Sequence, residues 1–368
     1  MAITQVHVAG YRSIKDVWLK LQRVNVLVGP NGCGKSNLYR ALYLIPAAAT
    51  GQFARILADE GGMPSVLWAG DRSKGPVRLT LEVRLEDLEY QLSCGLPQPG
   101  YPSAFLLDPH IKEEHVSLRN NGTKTTLLQR EHGTVSARDI DGKRIVFPAE
   151  LSLNESVLSG LREPHRFPEI SALRQEFLQW RFYHQFRTDF GSPLRQSQTG
   201  VLTPVLAHDG SDLAAALQTI LEIGDAETLH DGIEQAFPGA RLSIKQENGQ
   251  FSVGMQMPGF QRPFDAKELS DGTLQYLCLL AALLSPRPPA LLALNEPETS
   301  IHPDLFESLA KLIAEASRNS QLWITTHSHD LADLILEHTG ASPIELHKVK
   351  GATQVVGAKL SDEDDDLD

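Results

Sequence analysis

The sequence Gly29-Pro30-Asn31-Gly32-Cys33-Gly34-Lys35-Ser36 has the spacing G-x-x-x-x-G-K-[ST]. That spacing suits a polyphosphate. Glycines let backbone N–H groups turn inward on an anion, and a following helix N-terminus adds partial positive charge. Lys35 is placed to reach the β- and γ-phosphates of a nucleotide, and the Ser36 hydroxyl to ligate Mg²⁺. The flanks supply what such a loop needs. Val24-Asn25-Val26-Leu27-Val28 reads as a buried strand leading in, and Asn37 to Ile45 as a helix leading out, with Leu38, Leu42 and Ile45 on one face.

Three further stretches carry groups that a phosphate site uses. Ser270-Asp271-Gly272 precedes a long apolar helix beginning at Leu274, so a hydroxyl and a helix N-terminus face an anion together. Pro289 to Leu294 reads as a buried strand ending in Asn295-Glu296-Pro297-Glu298. Gln321 to Thr326 reads as another, ending in His327. Side chains at the carboxyl ends of such strands are where open α/β sheets bind ligands.

The elements between these stretches follow from pattern. Residues 2–9 and 17–21 alternate as strands around a polar turn, Gly10 to Asp16, in which Tyr11 and Arg12 read as ordinary turn residues in preference to residues near a bound base. A Gly/Ala-rich connection is expected over Ala47 to Gly75. Val77 to Leu85 alternates, Tyr90 to Cys94 pairs with it, and 104–147 reads as strands broken at Asn120-Asn121-Gly122, Glu131-His132-Gly133 and Asp141-Gly142. Helix is expected over 168–178, strand over 179–186, and a capped helix after Asp209-Gly210-Ser211-Asp212 with Leu213, Leu217, Ile220 and Leu221 inward. A hairpin turns at Glu247-Asn248-Gly249, and a last one joins Pro343–Val349 to Thr353–Leu360. The domain organisation expected is 1–150 as a lobe with the phosphate loop and a β-rich layer, 151–235 as a helical insertion, 236–350 as a second lobe, and 351–368 as a strand and acidic tail.

Composition sets the outer limits. The 368 residues are 41% hydrophobic and 22% charged, ordinary for a soluble globular chain. The start lacks a signal peptide, and the longest apolar run, Leu277 to Leu284, is far below the ~20 residues of a membrane span. Cys33, Cys94 and Cys278 form no ligand pairs, which fits a reducing cytoplasm and excludes a zinc or disulfide framework. Net charge is −12, of which Asp362 to Asp368 contributes six charges. That balance does not advertise nucleic-acid binding. The tail reads as a solvated, disordered segment. One local exception is Arg162, His165, Arg166, Arg174, Arg181, His184, Arg187 and Arg195, interleaved with Phe167, Phe177, Trp180, Tyr183 and Phe190. Such a run suits a nucleic-acid backbone, but the overall acidity favours a solvated face over core aromatics.

In this order the motifs resemble those of ABC-type ATPases. Gly29–Ser36 is similar to Walker A, Leu269–Thr273 to the signature, Leu291–Glu298 to Walker B, Thr299–Asp304 to the D-loop and Thr325–His327 to the H-loop. Tyr11-Arg12-Ser13-Ile14 and Glu296 to Pro303 resemble the RecF/SMC/OLD branch of that family. The chain after His338 has no room for a TOPRIM nuclease domain. The resemblance implies an α/β P-loop NTPase: an ABC-type head with a mixed central sheet, an N-terminal antiparallel β layer and a helical insertion. It implies ATP and Mg²⁺ as cofactors. Gly29, Asn31, Gly32, Cys33, Gly34, Lys35, Ser36 and Asn37 would hold the nucleotide, and Ser36 and Asn295 the metal. Ser270 and Gly272 would meet the γ-phosphate held by a partner, in a head-to-tail homodimer closed by ATP. Glu296 would orient or deprotonate water, and His327 would sense the γ-phosphate.

Two departures qualify the pattern. Asn295 stands where the family has aspartate, so its amide accepts a hydrogen bond but brings no charge. A Q-loop glutamine is not assignable. The task implied is DNA repair or anti-phage defence, with DNA or a separate effector protein as partner and no membrane. Two other readings stand beside it. A transporter ATPase subunit is disfavoured by Tyr11–Ile14 and by the long separation of Ser36 from Leu269. A nucleotide switch that does not hydrolyse is suggested by Asn295.

Overall fold

The computed structural model describes residues 1–71, 77–98, 100, 103–120, 122–131, 133–147 and 152–356. The acidic tail, the end of the expected 353–360 strand and the turn residues Asn121 and His132 lie outside them. The chain divides into two compact units. One comprises Met1–Ala2, Gln22–Val26 and Gln179–Pro343; the other comprises Ile3–Leu21, Leu27–Leu178 and Ile344–Asp368. The boundary at 178/179 falls inside the 151–235 segment.

The first unit is built on parallel strands. Arg181–Tyr183 pairs with Leu291–Asn295, which pairs with Gln321–Thr326. Leu322 N–H donates to Arg23 O at 2.9 Å, and Asn25 Nδ2 to Leu322 O at 3.0 Å, so the start of strand Val24–Val28 is tied to the same strands. Leu291 to Leu294 are at most 1% exposed. Parallel strands covered on both faces read as unbroken apolar runs, which is why these were visible in the sequence. Helix Asp271–Leu283 is buried continuously from Leu274 to Leu283. Helices Phe306–Ala316 and His329–Thr339 belong to the same unit. A smaller antiparallel sheet joins Arg241–Glu247 to Gln250–Gln256, as the Asn248-Gly249 turn signal predicts. The expected strand over 179–186 is shorter, Arg181–Tyr183. In helix Leu213–Ile223, Leu213, Leu217 and Ile220 are buried while Leu221 is half-buried. Asp212 stands at its N-cap, but its carboxylate accepts from Ala207 N–H at 2.9 Å instead of capping.

The second unit carries the antiparallel β layer. Its eight strands run in the order Ile14–Lys20, Ile3–Tyr11, Leu79–Leu85, Leu88–Gly95, His110–Asn120, Thr123–Glu131, Thr134–Arg138 and Arg144–Phe147. Burial alternates residue by residue in Leu79–Leu85, the signature of a sheet with one face on the core. Leu27 and Val28 pair in parallel with Ile344 and Glu345, and Ile344–Val349 folds back on Ala352–Val355.

Two local readings change. The helix after the glycine loop does not stop at Ile45 but spans Lys35–Thr50, through Pro46. Pro46 removes one N–H, yet Ala47, Ala48 and Ala49 are at most 3% exposed, so burying that turn offsets the loss. Gly51, left-handed at φ 79°, ends the helix. The expected loop beyond it holds helices Phe53–Asp59 and Met63–Val66. The Tyr11–Arg12 turn is also more than a turn. Tyr11 Oη donates to Glu60 Oε2 at 2.6 Å and Arg12 Nη2 to the same oxygen at 2.9 Å. Burial, then the Glu60 carboxylate, pushes the Tyr11 phenol up.

Candidate functional site

The loop Gly29–Ser36 lies between strand Val24–Val28 and helix Lys35–Thr50, as its spacing requires. Gly34 is the helix N-cap at φ 115°. A Cβ there would lie 2.0 Å from Thr353 Oγ1 and 3.0 Å from Thr353 Cβ, so no side chain fits. Thr353 is held in turn: its Oγ1 meets Ser13 Oγ at 2.8 Å and its N–H donates to Ser13 O at 2.8 Å. Asn37 Nδ2 donates to that same Ser13 Oγ at 2.8 Å. The C-terminal hairpin is therefore part of the frame around the loop.

Lys35 is 4% exposed, and its ammonium donates to Gly29 O at 2.6 Å and to Pro30 O at 3.3 Å. The cation is folded back over the loop, held by carbonyls that a polyphosphate can replace as partners. Helix Lys35–Thr50 has no acidic residue in its first turn, so its N-terminal charge is uncompensated. Asn31 and Gly32 are exposed at the rim, while Cys33 is buried at 2%. Among the described residues the Ser36 hydroxyl has no hydrogen-bond partner.

The remaining predicted residues gather within the first unit. Ser270 caps helix Asp271–Leu283, accepting Thr273 N–H at 3.1 Å, and is itself exposed. A Cβ on Gly272 would lie 2.5 Å from Ser300 O, so glycine is required where Leu269–Thr273 meets Thr299–Asp304. Asn295 ends its strand; its Oδ1 accepts from Thr325 Oγ1 at 2.9 Å and its Nδ2 donates to His184 O at 3.3 Å. Glu296 and Ser300 hold left-handed backbone, φ 49° and 64°, a strained arrangement that clusters at functional sites. Glu296 is half-buried, and among the described residues its carboxylate takes no hydrogen bond or ion pair. His327 follows directly on strand Gln321–Thr326.

Sequence reasoning missed two residues. Glu298 is 5% exposed; its Oε1 accepts from Thr326 Oγ1 at 2.5 Å and from His327 N–H at 2.9 Å, and lies 3.0 Å from His327 Nδ1. Arg195 is 8% exposed. Its guanidinium donates to Ala266 O and Leu269 O at 2.8 Å, to Thr188 O at 2.8 Å and to Asp271 Oδ1 at 2.7 Å, fixing the approach to Ser270. A second brace on that approach is the two-pronged Arg262–Glu268 pair, both contacts 2.7 Å; the hydrogen bond from Arg262 holds Glu268 down to about 2. The only advance signal was Arg195 itself, read as part of the basic–aromatic run. The structure dissolves that run. Phe167, Phe177, Trp180 and Tyr183 are core at 0–3% exposure, Arg195 is spent on carbonyls and Arg187 is paired with Asp189. The aromatics offer no stacking surface apart from Phe190.

Among the described residues no group of three or more His, Cys, Asp and Glu side chains could cage a metal. That fits Mg²⁺, which binds through substrate phosphates and few protein oxygens. Ser36 offers an unspent hydroxyl, whereas Asn295 offers the remaining lone pair of a neutral amide. No helix among those residues is long and apolar enough to cross a membrane.

A family model described as "AAA domain, putative AbiEii toxin, Type IV TA system" matches residues 24–333, most of the chain and every motif from the loop strand to His327. The chain belongs to the AAA_21 family. No curated protein matches the sequence. Its fold is similar to that of solved Smc head structures. One is an Smc head bound to the C-winged helix domain of ScpA, with TM-score 0.54, 15% identity, and coverage of 97% of this chain and 98% of that one. Another is an Smc head domain with an extended coiled coil, bound to the C-terminal domain of ScpA derived from Pyrococcus furiosus, with TM-score 0.54, 15% identity and 96% of each chain covered. This AAA_21 member is thus an AAA/ABC-type ATPase domain with the α/β fold of a P-loop NTPase and of Smc heads.

Proposed function

We propose that this chain binds ATP with Mg²⁺ at Gly29–Ser36 and hydrolyses it slowly, as an ATP-gated homodimer of the RecF/SMC/OLD branch of ABC-type ATPases. The observation that carries the reading is Lys35, a buried ammonium satisfied, among the described residues, by two carbonyls of the loop it closes. Phosphoryl transfer asks mainly for positioning and charge neutralisation. Lys35 and the helix N-terminus neutralise the polyphosphate. The Ser36 hydroxyl and Asn295 would hold the metal, which would supply further neutralisation of phosphate charge. Glu296, whose carboxylate is unspent, orients or deprotonates the attacking water, and His327 meets the γ-phosphate. Ser270 and Gly272 serve the partner's nucleotide; the exposure of Ser270 supports that assignment.

The role proposed is DNA repair or anti-phage defence in the cytoplasm, in concert with DNA or a separate effector protein. The toxin–antitoxin wording of the family favours defence, and the ScpA-bound state of the similar Smc heads favours an effector. A second reading, a nucleotide switch that does not turn over, is favoured by the neutral Asn295. Titration with a fluorescent ATP analogue and a steady-state phosphate-release assay test both. Binding that Lys35→Ala weakens by about 2–5 kcal/mol supports the site. Binding without turnover selects the switch, and unchanged binding by Lys35→Ala removes the assignment.

A further inference from the structure

We propose that Glu298 is a positioning residue: it fixes the His327 ring through Nδ1 and leaves Nε2 as the one ring nitrogen that can meet the γ-phosphate. This rests on the ATPase reading above. The two carboxylates of Asn295-Glu296-Pro297-Glu298 divide the work. Glu296 is half-buried with its carboxylate unspent, which suits a group that handles water. Glu298 is the opposite, with a side chain 4% exposed, two donors on one oxygen and the His327 ring nitrogen 3.0 Å from it.

Those donors leave the Glu298 carboxylate little freedom. Thr326 is fully buried, so its hydroxyl cannot swing away, and the His327 N–H is fixed by the strand end. Upstream, Pro297 and the left-handed Glu296 set the direction of the chain, and Ile301 N–H donates to Glu298 O at 3.0 Å. The imidazole is 48% exposed and has no comparable restraint of its own. Nδ1 lies 3.0 Å from a Glu298 oxygen, and an ionised carboxylate only accepts, so a hydrogen bond across that contact places the proton on Nδ1. A hydrogen bond at one ring nitrogen sets the state and direction of the other. Glu298 thereby acts on the phosphate only through His327.

The test combines kinetics with the ring itself. Glu298→Gln keeps an acceptor and the size but lets a donor face Nδ1. The expected result is a kcat about tenfold to a hundredfold lower, with the affinity for a fluorescent ATP analogue changed less than twofold. In a double-mutant cycle, Glu298→Gln added to His327→Ala should lower kcat no further than His327→Ala alone. Wild-type kcat in Glu298→Gln, or multiplying losses in the double variant, overturns the proposal. The second readout needs no variant fold: long-range ¹⁵N–¹H spectra of histidine-labelled protein, with His327→Ala for assignment. A protonated Nδ1 supports the inference, and a proton on Nε2 alone overturns it. If wild-type protein fails to hydrolyse ATP, the ATPase reading has failed, and the spectrum still decides the Glu298–His327 bond.

Discussion

Arg195 reaches Asp271 across 76 positions of chain, Nη2 to Oδ1 at 2.7 Å, while its other nitrogen donors hold the carbonyls of Thr188, Ala266 and Leu269. Asp271 is 59% exposed, so the ion pair itself contributes little. The buried carbonyls are what the guanidinium satisfies. Arg195→Ala should therefore lower unfolding free energy by about 2–4 kcal/mol, read from denaturant midpoints. It should also abolish ATP-dependent association while leaving nucleotide affinity of the monomer within about twofold, because the phosphate loop is untouched. A variant that still associates with ATP as wild type does would mean that Arg195 does not set the signature.

Gly34→Ala meets the Thr353 side chain, and turning that side chain does not help because its Cβ is also only 3.0 Å away. The φ of 115° adds backbone strain that glycine avoids. A loss of about 1–3 kcal/mol in thermal or denaturant stability is expected, together with loss of nucleotide binding. Wild-type stability would show that the hairpin does not press on the loop.

What the sequence made legible was local. The glycine spacing around Lys35, the Ser270 cap three residues before Thr273, and the apolar runs ending at Asn295 and His327 are each short-range patterns, and each lies on the predicted element. Reading stopped at long range. Thr353 lies 340 positions from Ser13 and Arg195 lies 76 from Asp271, and no periodicity connects such pairs. Glu298 was visible as a letter in a motif, but its role depends on the strand end it faces. Composition left 162–195 open, because core aromatics beside arginines look the same as a stacking surface; burial selects the core reading that the chain's acidity favoured. The continuation of the first helix through Pro46 was hidden for a different reason: a proline penalty is local, and the burial that offsets it is tertiary.

Glu296→Gln should cut hydrolysis by about a hundredfold or more while retaining nucleotide, because the change removes a base and leaves Lys35 and Ser36 intact. In ATP and Mg²⁺ the variant should accumulate as a dimer by light scattering. A monomeric variant that turns over at the parent rate would transfer the water-handling role to another group.

In the proposed dimer, one nucleotide is handled by the phosphate loop of one chain and by Ser270 and Gly272 of another. Mixing two dead variants separates the two halves of such a site. Lys35→Ala lacks the phosphate cation, and Ser270→Arg places a bulky cation at an exposed helix cap while leaving its own loop intact. Each alone should bind or close but not turn over. Equimolar mixing puts both defects at one site of a heterodimer and leaves the other whole, so about a quarter of wild-type phosphate release should return. No recovery in confirmed heterodimers, or full activity of either variant alone, would contradict a shared site.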